Sequence, residues 1–206
     1  MPAELILIGG ASILINYGFR GMTTDIDAII QAASGMKDAI NIVRDKYDLP
    51  TGWLNADFKK TNSYTPKLSQ FSTYYKTYFG VLTIRTISAE YLIAMKLCSG
   101  RPYKNDYSDI LGILAEHEKK GNDITKDQIE KAVENLYGKW KLLPEASRTF
   151  IDNVMQNGEF EKMYAEVIAN EKQAKQMLVS FENDYPGITN KDNVDHILEN
   201  LRKRKK

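Results

Sequence analysis

Residues 5–12 read Leu-Ile-Leu-Ile-Gly-Gly-Ala-Ser, and residues 24–27 read Thr-Asp-Ile-Asp. The first stretch is an apolar run that stops at two glycines, a pattern typical of a strand that is buried on both faces and turns into a helix. The second stretch places two acidic residues at the start of another apolar run. We therefore predict that the two motifs lie on adjacent strands of an α/β sheet.

The segments around these motifs predict a β-α-β-α order followed by more sheet. Two runs rich in aromatic and β-branched residues flank Phe79-Gly80 and predict a β-hairpin. Residues 51–66 have no clear period and are interpreted as a long connection. The predicted elements are strands at 5–8, 25–30, 70–78 and 81–87 and helices at 11–17 and 36–47.

From Ser88 onward the sequence predicts helices only. We predict an α/β (α+β) fold, in which a mixed sheet flanked by helices carries a C-terminal all-helical extension. A boundary near Gly121 divides the chain into residues 1–121 and residues 122–206, and the extension ends in a basic tail at 202–206. The predicted helices cover residues 89–99, 107–118, 126–137, 160–181 and 191–201, and another helix is predicted to begin at Pro144.

The composition indicates a globular protein with no strong charge bias. The chain has 206 residues, of which 43% are hydrophobic and 27% charged, and these values exclude wholesale disorder. A net charge of +1 creates no global field for nucleic acid or a membrane surface. The single cysteine, Cys98, lies in an apolar helical pattern and indicates a reducing compartment. No apolar run approaches the roughly 18 residues of a membrane span, so we expect a soluble, cytoplasmic protein with no membrane partner.

Gly9, Gly10 and Ser12 are candidates for phosphate binding. Glycine allows backbone N–H groups to approach a phosphate closely, and the N-terminus of the following helix adds a partial positive charge. Ser12 adds a hydroxyl donor. A tight turn that binds no ligand is the alternative interpretation.

Asp25 and Asp27 are candidates for metal binding, because residues two apart on a strand project their side chains from the same face. Two unpaired carboxylates so close would repel each other, and a hard divalent cation such as Mg²⁺ removes that cost by accepting oxygen ligands from both. The alternative is a solvated strand end that caps the following turn. The glycine turn 15 residues before Asp25 favours the metal site.

These two motifs resemble those of the nucleotidyltransferases of the DNA polymerase beta superfamily, in which a glycine-rich strand-helix turn precedes an Asp-x-Asp strand. Residues 20–24, Arg-Gly-Met-Thr-Thr, look closest to the small bacterial branch that includes the AbiEii abortive-infection toxins. The resemblance covers about residues 5–114. A Leu-Ala-x-Lys-Leu, Arg and Asp-x-x-Asp stretch of that branch is similar here to Tyr91-Leu92-Ile93-Ala94-Met95-Lys96-Leu97, Arg101, Lys104, Asp106 and Asp109.

The resemblance implies a magnesium-dependent transfer of a nucleoside monophosphate from a nucleoside triphosphate to an acceptor, which is a protein, an RNA or a small molecule. Asp25 and Asp27 would hold the metal, with two ions expected, and Lys96 would contact a phosphate or the leaving pyrophosphate. A cognate antitoxin or another partner protein is also implied. The nucleotide contacts would come from Gly9, Gly10, Ser12, Arg20, Thr24 and Arg101.

A third carboxylate, which many members of the superfamily carry on a later strand, has no clear counterpart because residues 81–87 contain no acid. The candidates for an additional acid are Asp57, Glu90, Asp106 and Asp109. The last two have the alternative role of first-turn acids at a helix N-terminus. The uncertain third acid leaves a second hypothesis, a non-catalytic binding or antitoxin-like partner protein with the same fold.

Lys96 is expected to face the same cleft as Asp25 and Asp27, because its helix directly follows the hairpin and must pack back against the sheet. The alternative is a lysine whose stem snorkels out of a core helix. Arg20 also has two open roles: it binds phosphate, or it anchors its loop to Asp25.

Overall fold

The computed structural model describes residues 3–32, 35–190 and 193–204. It contains a five-stranded mixed sheet in the order β3-β2-β1-β5-β4. The central strand β1 is antiparallel to β2 and parallel to β5, while β3 is parallel to β2 and β4 antiparallel to β5. The strands are β1 (Ala3–Leu7), β2 (Ile26–Gln31), β3 (Leu54–Asn55), β4 (Ser72–Tyr78) and β5 (Leu82–Ile87).

Eight helices surround and extend the sheet in the described part of the chain. The first two alternate with strands, and the other six follow β5, as the sequence predicts. The α/β fold class with helical C-terminal elements is therefore confirmed. The helices are α1 (Gly9–Asn16), α2 (Met36–Tyr47), α3 (Ala89–Ser99), α4 (Asp106–Lys119), α5 (Lys126–Tyr137), α6 (Glu145–Asn157), α7 (Phe160–Asp184) and α8 (Val194–Arg204).

The predicted hairpin forms around Phe79 and Gly80, whose φ angles are 51° and 68°. Positive φ at both central residues gives the turn the twist that suits two right-twisted strands. The connection predicted at residues 51–66 differs from the structure, because it contains β3 and a 3₁₀ segment at Asp57–Lys60. Elements of two and four residues are too short to show a period in the sequence.

The predicted first residues of α1 and α8 also differ from the structure. Helix α1 begins at Gly9 rather than Ala11, because Gly9 adopts a φ of +54° and turns the chain from β1 straight into the helix. Helix α8 begins at Val194, and residues 191 and 192 of the predicted helix lie outside the described residues.

Two apolar clusters hold the layers together, one on each face of the sheet. The smaller cluster packs Leu5, Leu7 and Ala28 against Met36 and Ile40 of α2. The larger one lies on the opposite face and combines sheet residues with most of α3, α4 and the following helices. It includes apolar side chains on both sides of Gly121, and the division into two regions there stays a prediction.

In the described ranges, no helix combines the length and the apolar character that crossing a membrane would require.

Candidate active site

A cleft of about 280 Å³ opens on the sheet face covered by α3. Its walls come from the first turn of α1, the start of β2, the 3₁₀ segment Asp57–Lys60 and the C-terminal half of α3. Six of the predicted site residues line it: Gly9, Asp27, Asp57, Lys96, Arg101 and Asp106. The structure thus brings together residues that are up to 97 positions apart in the chain.

Asp27 is the second residue of β2, and its backbone is paired with both neighbouring strands. Its carbonyl oxygen accepts a hydrogen bond of 2.9 Å from the Ile8 N–H at the end of β1, and its Cα pairs with that of Asn55 in β3. Strand alternation places its side chain on the same face as Ile29, which packs against the larger apolar cluster. The carboxylate of Asp27 is therefore directed from the sheet toward α3.

Negative charge accumulates around the Asp27 carboxylate. Burial raises the pKa of Asp27, and the nearby carboxylates of Asp25 and Asp57 raise it further. The Phe58 backbone N–H, which donates to this carboxylate, and the ammonium group of Lys96 act in the opposite direction without cancelling the rise. A carboxylate whose charge is disfavoured in this way gains from a bound cation.

The donor set fits Mg²⁺ with ligands shared between protein and substrate. Among the described residues, no group of three or more His, Cys, Asp or Glu side chains is arranged to hold a metal ion by itself. Magnesium is commonly bound through one or two carboxylates together with substrate phosphates. Asp27 inside the cleft and Asp25, which is exposed just before β2, are the two carboxylates that would hold it here.

A buried ion network forms the wall of the cleft opposite Asp27. The Lys96 ammonium lies 3.0 Å from an Asp106 carboxylate oxygen and 2.7 Å from one of Asp109. Arg101 donates from Nε to Asp106 at 2.8 Å, and Arg20 donates from a guanidinium nitrogen to Asp109 at 2.6 Å. The exposed fractions of the Lys96, Asp106 and Asp109 side chains are 12%, 0% and 3%. Lys96 and two buried carboxylates therefore form the centre of the network, and the more exposed side chains of Arg20 and Arg101 neutralise it from outside.

Lys96 and Asp106 keep their charges over a wide pH range. Burial alone would lower the pKa of Lys96, but Asp106 and Asp109 outweigh burial, so the pKa of Lys96 is raised. Burial alone would raise the pKa of Asp106, yet Lys96 and Arg101 hold it at about 2. The cleft thus has one wall with three cations on two carboxylates and another, around Asp27, where the negative charge is only partly compensated.

The two glycines occupy different surroundings. Gly9 lines the cleft, and a Cβ added to it would meet open space. A Cβ at Gly10 would lie 2.8 Å from the Thr23 hydroxyl oxygen and 3.1 Å from a guanidinium nitrogen of Arg20. Gly10 therefore allows the loop before β2 to pack against α1, and Gly9 is the glycine with space for a ligand beside it.

Several predicted site residues lie away from the lining of the cleft. Ser12 is fully buried, and within the described residues its hydroxyl oxygen has no hydrogen-bond partner. Thr24 is exposed beside Asp25. Arg20 pairs with Asp109 and not with the predicted partner Asp25, and its contact with phosphate stays a prediction. Glu90 accepts a hydrogen bond of 3.0 Å from the Ser88 hydroxyl at the start of α3.

The surroundings of the candidates for an additional acid distinguish them from one another. Asp57 lines the cleft and raises the pKa of Asp27, behind burial and Asp25 in importance. Asp106 also lines the cleft, but Lys96 and Arg101 occupy both of its oxygens. Asp109 pairs with Lys96 and Arg20 behind the wall. Among these candidates, Asp57 is therefore the one with the most direct influence on Asp27.

Glu171 of α7 supports the cleft from behind and was not predicted from the sequence. Its Oε1 accepts hydrogen bonds from the backbone N–H groups of Tyr107 (3.0 Å) and Ser108 (3.2 Å), in the first turn of α4. This turn carries the carboxylates that hold Lys96. The exposed fraction of Glu171 is 5%, and burial raises its pKa to about 7. The only sequence signal for Glu171 is an acidic residue near the middle of a long amphipathic helix. If such a residue faces the core, it needs hydrogen-bond partners there.

The high pKa of Glu171 predicts a pH-dependent stability. The folded protein binds this proton more tightly than the unfolded chain, so the stabilisation is complete below pH 4.5 and is lost as the pH rises through 7. Relative to Glu171→Gln, the wild type should lose about 2 kcal/mol of unfolding free energy between pH 5 and pH 8. Urea denaturation at both pH values measures this. Glu166→Gln, an exposed site on the same helix, is the matched control, and an equal pH trend in both variants would contradict the prediction.

Comparison with known proteins identifies one family. Residues 1–137 match the model of a family described as nucleotidyltransferase of unknown function. The match runs through the end of α5 and includes every residue of the cleft named above. No curated protein and no solved structure matches the chain significantly.

Proposed function

We propose that this chain, which belongs to the family of nucleotidyltransferases of unknown function, transfers a nucleoside monophosphate from a nucleoside triphosphate to an acceptor with the help of Mg²⁺. The observation that carries the proposal is that Asp27 lines a cleft together with Gly9 at the start of α1 and with Lys96, and that the negative charge around Asp27 is only partly compensated. A charge of this kind is costly in a protein that binds no cation there.

In this proposal, different residues of the cleft bind the phosphates and the metal. The N-terminus of α1, with Gly9 beside open space, offers backbone N–H groups and a partial positive charge to the phosphates. Lys96 and Arg101 add positive charge from the facing wall. Asp25 and Asp27 would hold Mg²⁺, two ions being expected. When bound, the metal supplies charge neutralisation of the phosphates and of the leaving pyrophosphate.

In the proposed reaction, an acceptor oxygen forms a bond to the α-phosphorus while the bond from that phosphorus to the α,β-bridging oxygen breaks. Pyrophosphate leaves with the bonding electron pair, and the proton of the acceptor hydroxyl passes to a carboxylate of the cleft. Asp57 suits this role because it lines the cleft outside the buried ion network and pairs with the exposed side chain of Lys60. The role of the protein is then mainly to position and neutralise.

A place in the AbiEii-like branch, and with it a bacterial toxin–antitoxin or abortive-infection role, is a further part of this proposal. It is supported by the Lys96, Arg101, Asp106 and Asp109 stretch, whose side chains form one ion network. A cognate antitoxin would be the expected partner protein, in the bacterial cytoplasm.

Titration of the four nucleoside triphosphates by calorimetry, with Mg²⁺ and with EDTA, tests the proposal. We expect micromolar binding of at least one triphosphate with Mg²⁺ and a loss of about tenfold or more in affinity without it. Binding with the same affinity in EDTA, or no binding of any triphosphate, would favour the non-catalytic partner protein over the transferase.

A further inference from the structure

A second and larger cavity, of about 570 Å³, adjoins the cleft on the side away from Asp27. Thr61, Ser99 and Arg101 line both spaces, so the two are neighbours across a shared wall. The start of α8 also borders the second cavity, where Val194 and Asp195 line it. It is therefore built jointly by the part of the chain that matches the family model and by the C-terminal helices beyond it.

The charge of this second cavity is mainly positive. Among the described residues, Lys60, Arg101 and Lys104 line it, against one carboxylate, Asp195. Arg101 is engaged by Asp106 and Lys60 by Asp57, whereas Lys104 is exposed and forms no ion pair within the described residues. The remaining walls are largely hydroxyl and amide groups, which suit hydrogen bonding to a polar molecule.

A transferase of the proposed kind needs a second space of this type. The attacking oxygen must approach the α-phosphorus from the side opposite to the leaving pyrophosphate, so donor and acceptor occupy separate places at the same time. A space that borders the cleft through Arg101 meets this requirement. Asp57 and Asp106, which pair with Lys60 and Arg101, line the cleft rather than this cavity, so the cavity's own described lining keeps more positive than negative side chains. This arrangement favours an anionic acceptor over a cationic one.

We propose that the cavity bordered by Lys60, Arg101, Lys104 and the start of α8 binds the acceptor, and that this acceptor is a small anionic molecule carrying a phosphate or a carboxylate group. The assignment rests on the transferase function proposed above. Lys104 supplies the charge that is not already compensated, and it is the residue that selects for the anion.

Cys98 provides a direct probe of the cavity. It is the only cysteine of the chain and lies on the cavity wall, where its thiol donates to the Asn62 carbonyl oxygen at 3.6 Å. Burial raises the pKa of this thiol, so it reacts slowly and its alkylation rate depends on access through the cavity. A molecule bound there should shield it.

The experiment follows alkylation of Cys98 by iodoacetamide with intact-mass spectrometry. The probes are glycerol 3-phosphate, glycerate and neutral glycerol, each with and without an α,β-methylene nucleoside triphosphate and Mg²⁺. At saturation we expect at least one of the two anions to slow alkylation by about tenfold and glycerol to have no effect. If only glycerol 3-phosphate protects Cys98, the anionic group of the acceptor is a phosphate. If only glycerate protects it, the group is a carboxylate. Protection should persist when the nucleotide analogue is bound.

Charge reversal at Lys104 is the matched test. Lys104→Glu should remove the protection by anions, while Lys172→Glu, an exposed lysine on α7 away from the cavity, should leave it unchanged. Both variants should keep the melting temperature of the wild type, because both positions are exposed. Equal loss of protection in the two variants would overturn the assignment to Lys104.

Two other results would overturn the acceptor site. If neither anion protects Cys98 while calorimetry still shows metal-dependent nucleotide binding, the cavity does not bind an anion, and the proposed transferase function stands without it. If the nucleotide analogue itself protects Cys98 and displaces the anion, the cavity belongs to the nucleotide. Anion protection without any nucleotide binding would end both the transferase proposal and the acceptor assignment.

Discussion

Asp27→Asn is expected to abolish nucleotide transfer while leaving the protein as stable as the wild type or slightly more stable. Burial and the carboxylate of Asp25 both raise the pKa of Asp27, so the negative charge is a cost to the folded state. Asparagine is nearly the same size but neutral, which relieves this cost and weakens the attraction for Mg²⁺. We expect transfer to fall by about a thousandfold or more.

The measurements are calorimetric nucleotide binding with Mg²⁺, a transfer assay and thermal unfolding on the same preparations. Asp25→Asn should weaken metal-dependent binding to a smaller extent, because Asp25 is exposed before β2 rather than inside the cleft. Asp123→Asn, an exposed acid in the loop before α5, is the control and should change neither property. A lower melting temperature for Asp27→Asn, or an unchanged nucleotide affinity, would show that the carboxylate is structural.

The position of Asp27 could be predicted because it depends on local signals. Two apolar runs define β1 and β2, and period-2 alternation then fixes the face from which Asp27 projects. The facing position of Lys96 follows from chain order, since α3 leaves β5, and β5 pairs with β1 next to β2. Both inferences use connectivity and periodicity, which a single sequence records.

Other parts of the site depend on packing that leaves no local trace. Asp57 reaches the cleft because the two-residue strand β3 pairs with β2, and a strand of that length has no recognisable pattern. Glu171 meets the first turn of α4 from 63 residues away in the sequence, through the packing of α7 on α4. Ser12 is buried between Ala11 and Ile13, although the motif alone suggested a donor to phosphate. Burial of this kind is decided by tertiary structure.

The structure also changes what is expected of Lys96. From the sequence, this lysine is a mobile charge that attracts the triphosphate. In the structure its ammonium is bound between Asp106 and Asp109, and its side chain is 12% exposed. It lines the cleft and so still contributes positive potential there, but its first role is to compensate two buried carboxylates.

Lys96→Ala is therefore expected to destabilise the protein by about 3–5 kcal/mol, because it leaves two buried carboxylates with only Arg101 and Arg20 to neutralise them. Urea denaturation at neutral pH measures the change. Lys60→Ala is the matched control. Its ammonium lies 2.7 Å from Asp57, as close as that of Lys96 to Asp109, but both partners are more than 70% exposed. An exposed pair of this type contributes about 0–1 kcal/mol.

A compensating variant separates the structural role of Lys96 from any role in binding. Lys96→Met with Asp109→Asn removes one positive and one negative charge together, so we expect it to recover about half or more of the lost stability. Nucleotide titration of this variant then reports the contribution of the Lys96 charge on a folded protein. Weaker triphosphate binding with monophosphate binding retained would assign Lys96 to the phosphates. If Lys96→Ala instead loses no more stability than Lys60→Ala, the ion network does not support the wall of the cleft, and the lysine acts on the ligand alone.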